Sequence, residues 1–165
     1  MSKARCGSCA RWRRASPKFP CGSTDRSPAA LNRPTAALHE KYRDWFAGRV
    51  EHIGDIYAGA RLALLPTTSG TGLSIKSVEA MASGLPLIAT THAFRGMNLD
   101  PSALSNVTLA DDAEAFAAAL RKAAAAPTPT PAERAKSASR AAYDAHFSEA
   151  AYCARLAAIA TPLVR

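Results

Sequence analysis

The period of the apolar positions changes several times along the chain, and each change marks an element. Residues 36–48, AALHEKYRDWFAG, carry Leu38, Tyr42, Trp45 and Phe46 on one face of an expected helix. Val50-Glu51-His52-Ile53 before Gly54 reads as a short strand or strand end, and Asp55 to Ala60 as a short helix. Arg61 to Leu65 is an apolar run stopped by Pro66, which suits a strand buried on both faces of a parallel sheet. A loop from Thr67 to Gly72 then leads into a helix expected over Leu73 to Ser83, with Ile75, Val78 and Ala82 facing the sheet. Gly84 suits the residue just past a helix end, and Pro86 prevents continuation. Leu85 to Thr90 is the next buried strand.

Beyond a loop around Arg95-Gly96, Asn106 to Ala110 reads as a shorter strand. Asp111 is expected to cap the next helix, with Glu114 three residues on and Phe116, Leu120 and Ala123 as its apolar side. PTPTP at 127–131 is a stiff connector. Thr130, Pro131 and Glu133 supply a cap, an N1 proline and an N3 carboxylate for a helix reaching about His146. Ser148 caps a final helix holding Tyr152, Leu156 and Ile159, in which Cys153 is expected to pack as a small hydrophobe. Strand, loop, helix and strand in this order make a βαβ unit, so the fold class is α/β: a Rossmann-like parallel sheet with flanking helices. Such a sheet places ligands at the C-terminal ends of its strands, where the 67–72 loop lies.

Bulk properties narrow this only slightly. A chain of 165 residues that is 48% hydrophobic can bury one core, and a single domain is the default. No run approaches the length of a membrane span, and the N-terminal MSKARCGSCARWRR has no apolar core of a secretory signal, so a cytoplasmic location is expected. The charge changes the picture more. Residues 1–49 hold 11 of the 21 Lys and Arg against Asp25, Glu40 and Asp44, a net of +8, whereas the rest of the chain is balanced. With Pro17, Pro20, Pro28 and Pro34 and no sustained period, residues 1–35 read as a basic, disordered leader ahead of a domain at 36–165. A basic tail can bind nucleic acid, but a solvated tail is the simpler reading. Cys6-Gly-Ser-Cys9, with Cys21 and His39, can be drawn as a zinc site. A structural site needs two close pairs, however, and Cys21 has no near partner in sequence, so no metal is expected.

The chemistry concentrates in PTTSGTGLSIKSVEAMASGLPLIATT, residues 66–91. Gly70 and Gly72 permit close approach of backbone to a ligand. The loop, including Thr71 and Leu73, feeds a helix N-terminus, whose free amides attract a phosphate, and Lys76 adds a full charge. Glu79, three residues on, can accept two hydrogen bonds from the hydroxyls of a ribose. Phosphate plus diol points to a nucleotide or a nucleotide-sugar. The plain alternative is a sharp turn followed by a surface ion pair between Lys76 and Glu79. His92 and Arg95, on the loop after the second strand, can face the cleft or lie in a solvated loop, of which the second is the simpler. His52 is most simply a strand-end residue.

The pattern from Pro66 through Gly70, Gly72, Lys76, Glu79-Ala80-Met81-Ala82, Gly84 and Pro86 to Thr90 closely resembles the nucleotide-sugar-binding signature of group 1 glycosyltransferases with the GT-B fold. VEHIGDIYAGARLALLP upstream, and Phe94-Arg95-Gly96, NVTLADDAEAFAAAL and Tyr143 to Tyr152 downstream, follow the family's order over about residues 50–160. The resemblance implies part of the C-terminal, donor-binding domain of such an enzyme. It implies transfer of a sugar from a nucleoside diphosphate-sugar, with retention at the anomeric carbon and without a cofactor or metal. It gives Glu79 to the ribose, the backbone of Gly70 to Leu73 to diphosphate and sugar, and a less defined role to Lys76. The family's first glutamate, which handles the donor sugar, has Ser69-Gly70-Thr71 in its place. No stretch of residues 1–49 resembles the family's diphosphate-neutralising region, and an acceptor domain would have to be separate. The alternative is a truncated, non-catalytic remnant or binding module with a nucleic-acid-binding leader.

Overall fold

The computed structural model describes residues 40–45 and 50–161. The leader, Cys6, Cys9, Cys21 and His39, and most of the helix expected at 36–48, lie outside the described residues. Of that last segment, Arg43–Trp45 forms a single 3₁₀ turn.

Three short strands make a parallel sheet in the order β1-β2-β3. They are β1 (Ala63–Leu65), β2 (Leu87–Ala89) and β3 (Val107–Leu109). Ala63 pairs with Leu87, and Leu87 with Val107. The helices flanking the sheet are α1 (Ile53–Ala58), α2 (Ile75–Ser83), α3 (Ala113–Ala125), α4 (Pro131–Ala135), α5 (Ala138–His146) and α6 (Glu149–Ala160). The parallel α/β class is therefore that expected from the apolar runs.

Alternation along β2 divides the core between the two faces of the sheet. Leu87 and Ala89 join Leu65, Ala80, Met81 and Phe94 in one cluster, against which α5 packs through Ala138, Ala142 and Tyr143. Ile88 points the other way, to Phe116, Leu120 and Ala110 under α3. β2 is buried throughout. β1, expected to be buried on both faces, is the edge of this sheet among the described residues, and its Leu64 is 37% exposed.

Other elements depart from expectation for local reasons. Residues 50–53 form no strand, because Ile53 already begins α1, with Asp55 favourably placed in its first turn. α2 starts at Ile75 rather than Leu73, and Ile75 is 68% exposed. Its buried face is Ser77, Ala80 and Met81, whose small members let the helix approach closely, and the Ser77 hydroxyl donates to the Ala93 carbonyl at 2.6 Å. Asp112, not Asp111, caps α3, accepting from the Ala115 amide at 2.8 Å; Asp111 is held elsewhere, accepting from the Thr91 amide and hydroxyl. Glu114 is consequently not at the N3 position.

The capping box of Thr130 and Glu133 with Pro131 behind it forms as expected, but its helix ends at Ala135. Ser137 adopts an extended conformation and caps α5 afresh through the Arg140 amide. This break turns the chain onto α2 and brings fully buried Ser139 to Asn106, whose side chain accepts from the Ser139 amide and donates to the Leu85 carbonyl. Ser148 caps α6, yet that helix has no buried residue. Tyr152, Leu156 and Ile159 are exposed, and so is Cys153, which does not pack in the core because α6 lies at the periphery.

Candidate functional site

The three strands point their C-terminal ends the same way, and the loops leaving β1 and β2 meet there. The β1 loop is pinned at its start: the Thr67 amide donates to the Leu65 carbonyl, and the Thr90 hydroxyl at the end of β2 donates to the Thr67 carbonyl. The β2 loop opens with a 3₁₀ turn at Thr91–Phe94, fixed by the carboxylate of Asp111 at the end of β3. Ala93 and Phe94 of that turn are buried.

Glycine makes the junction possible. Gly70, Gly72 and Gly96 have φ of 124°, 70° and 72°, conformations that side-chain-bearing residues rarely adopt. A Cβ on Gly96 would lie 3.2 Å from the Leu73 nitrogen and 3.4 Å from the Gly72 carbonyl carbon. The two loops are thus in close backbone contact, and a side chain at residue 96 would require the 72–73 backbone to give way. A Cβ on Gly70 would lie 2.9 Å from Nη2 of Arg95, whose side chain crosses from the β2 loop. Beside this junction Arg95 and His92 line an open hollow of about 670 Å³, with Thr91, Met97, Leu99 and Asp111 among its walls. Nε of Arg95 and Nε2 of His92 are buried without a protein partner. The residues expected in a solvated loop are therefore half-buried ones at the meeting of two loops.

The residues anticipated from sequence fall into two groups. Gly70, Thr71, Gly72 and Leu73 form the exposed rim of the β1 loop, directly ahead of α2. Ser74 occupies the N-cap position without capping; its hydroxyl instead lies 2.9 Å from that of Ser77, whose own proton goes to the Ala93 carbonyl. The first amides of α2 thus face the loop without a side-chain cap. Lys76 is exposed on the first turn, whereas Glu79 is half-buried and close enough to α1 for its charge to act on Tyr57. They are not a surface ion pair: among the described residues the ion pairs are Arg43–Glu40 and Arg140–Asp144.

The charge of Glu79 acts on Tyr57 of α1. Burial first, and the negative charge of Glu79 second, push the Tyr57 hydroxyl up to about 12, so it stays protonated and able to donate. Tyr57 is a neighbour of the site that sequence reasoning does not single out, since a tyrosine in a short helix carries no local mark. Its helix is held in place by Arg134, whose two terminal nitrogens donate to the carbonyls of Tyr57 and Ala60 at 3.0 and 3.1 Å. His52 is the extended N-cap residue of α1, outside any strand.

Among the described residues no three His, Cys, Asp or Glu side chains cluster so as to hold a metal ion. Among them, too, no helix is long and apolar enough to cross a membrane. No curated protein and no solved structure matches the chain. One family model, described as "Glycosyl transferases group 1", matches residues 21–125, which take in β1, β2, β3 and both loops of the junction. Well over half of the chain is covered, and the chain belongs to the group 1 glycosyltransferases.

Proposed function

We propose that this chain binds a nucleoside diphosphate-sugar at the C-terminal ends of β1 and β2, as the donor for retaining transfer of the sugar to an acceptor. One observation carries the reading: in a group 1 glycosyltransferase, the Gly70–Leu73 loop, the start of α2 and the β2 loop converge on one spot at the strand ends. Glycines in the left-handed region present bare backbone to a ligand, and the uncapped first turn of α2 adds amides and dipole for a diphosphate. Lys76 adds a positive charge from the first turn. Glu79, one turn further along, accepts from the two hydroxyls of the ribose. In this arrangement the protonated Tyr57 hydroxyl, kept so by burial and by the charge of Glu79, is available to donate to the ribose. A separate acceptor domain, a cytoplasmic location, and the division into a leader at 1–35 and a domain at 36–165 belong to the same proposal.

Calorimetric titration of UDP, GDP and ADP tests it. Glu79→Gln removes the charge and one of the two acceptor oxygens that the ribose would use. It should weaken the diphosphate that binds by about 1.5–3 kcal/mol. Equal affinity of mutant and parent would remove Glu79 from the site.

A further inference from the structure

We propose that Arg95 is a phosphate-binding residue of the donor site, a role that rests on the nucleotide-sugar reading above. The guanidinium is seated against Gly70 where any other residue would carry a Cβ, with Nη2 and Cζ 2.9 and 3.3 Å from that position. Gly70 also has φ 124°, so both its conformation and its missing side chain serve the approach of Arg95. The neighbouring Gly96 is packed on the Leu73 nitrogen, which fixes the base of the Arg95 side chain beside the backbone of residues 70–73.

The bonding of this guanidinium separates it from a structural arginine. A guanidinium has five N–H groups, and among the described residues Arg95 satisfies one of them, with the His92 carbonyl at 3.3 Å. Its Nε is buried without an acceptor among the described residues, as is that of Arg134, so the terminal nitrogens carry the distinction. Among the described residues no carboxylate neutralises it, since the ion pairs are elsewhere and Asp111 accepts from Thr91. Arg134, in contrast, spends both terminal nitrogens on carbonyls of α1 and its end. Arg95 is thus held by its stem with its charge and fork uncommitted, next to a glycine loop and a helix N-terminus. A planar fork of donors matches two oxygens of a phosphate. His92, whose Nε2 is also buried and unpartnered, lines the same hollow and offers a second contact to the same group. The ligand chemistry is a diphosphate, whether within a nucleotide or as free pyrophosphate.

Calorimetry on the full chain distinguishes the sources, using UDP, GDP, ADP, the corresponding nucleosides and inorganic pyrophosphate. The parent should bind at least one nucleoside diphosphate, and Arg95→Gln should weaken it about tenfold or more, with Arg95→Lys intermediate and any nucleoside affinity unchanged. Should Arg95→Gln melt below the assay temperature, Arg95→Met, which keeps the stem against Gly70, takes its place under the same criterion. Undiminished diphosphate affinity in the neutral variant overturns the role of Arg95 and leaves the nucleotide-sugar site standing. Arg95-dependent binding of pyrophosphate with no nucleotide bound keeps Arg95 and removes the nucleotide-sugar reading. Binding of neither by the parent overturns both.

Discussion

Tyr57 and Glu79 come together from α1 and α2, and their electrostatics can be read in solution. The Tyr57 hydroxyl is raised from its ordinary 10.0 to about 12 by burial and then by Glu79. The folded chain therefore holds this proton more tightly than the unfolded one. Its contribution to stability is fully present below about pH 10 and is lost as the pH rises through about 12. Tyr57→Phe should remove that part of the alkaline decline, measured as urea midpoints at intervals across this window. Superimposable declines in mutant and parent would dissociate Tyr57 from the buried position described. The glycines, Lys76 and Glu79 of the proposed site can be singled out from sequence because they lie in one contiguous segment. Tyr57 beside Glu79, and Arg95 on Gly70, are not, because each pairing joins residues that only the packing of separate elements brings together.

At the scale of the element, the end of α2 is legible in the sequence, while its neighbours show what local signals leave out. Gly84 closes α2 in the left-handed region at φ 66° with its amide on the Met81 carbonyl. Its lack of a side chain has a second reason that no local pattern reveals: a Cβ there would meet the Arg134 carbonyl oxygen of α4 at 2.1 Å. Gly84→Ala should therefore cost more than a simple helix-end substitution, about 2–4 kcal/mol, combining a left-handed alanine with a backbone clash. A thermal melt lowered by on the order of 10 °C is the expected result. A loss of a degree or two would mean that α4 yields easily and that the α2–α4 junction is loose. The same junction explains the unforeseen break after Ala135. Thr130, Pro131 and Glu133 announce a helix start so completely that Ser137 passes as an interior residue, and only its cap on Arg140 and the burial of Ser139 show the second start. The register of Asp111 and Asp112 is ambiguous for a related reason: both are aspartates able to cap, and the choice is made by Thr91 across the sheet.

At the scale of the whole molecule, three apolar runs separated by a loop and helix suffice to anticipate a parallel sheet, since parallel strands leave little other pattern to confuse. They do not show that Leu64 of β1 is exposed among the described residues, which depends on what stands beside the strand rather than on its own residues. The same distinction governs activity. Sugar transfer requires donor and acceptor to be held together, because much of the rate gain comes from proximity and orientation. In the proposed donor site, the groups that would meet a donor are the backbone amides of the 70–73 loop and the start of α2, with Lys76, Glu79 and Arg95. At the position where the family resemblance places the glutamate that handles the donor sugar, the chain has Ser69-Gly70-Thr71, none of which can act as a carboxylate. Binding of a diphosphate and turnover of its sugar should therefore separate. The purified 165-residue chain should bind a nucleoside diphosphate, in an affinity range set by Arg95 and Glu79, and yet transfer no sugar from any common nucleotide-sugar. A radiolabelled-donor assay without added partner proteins decides this. Steady turnover there would require the donor sugar to be activated without that carboxylate, and would make this chain a complete enzyme rather than a donor-side module.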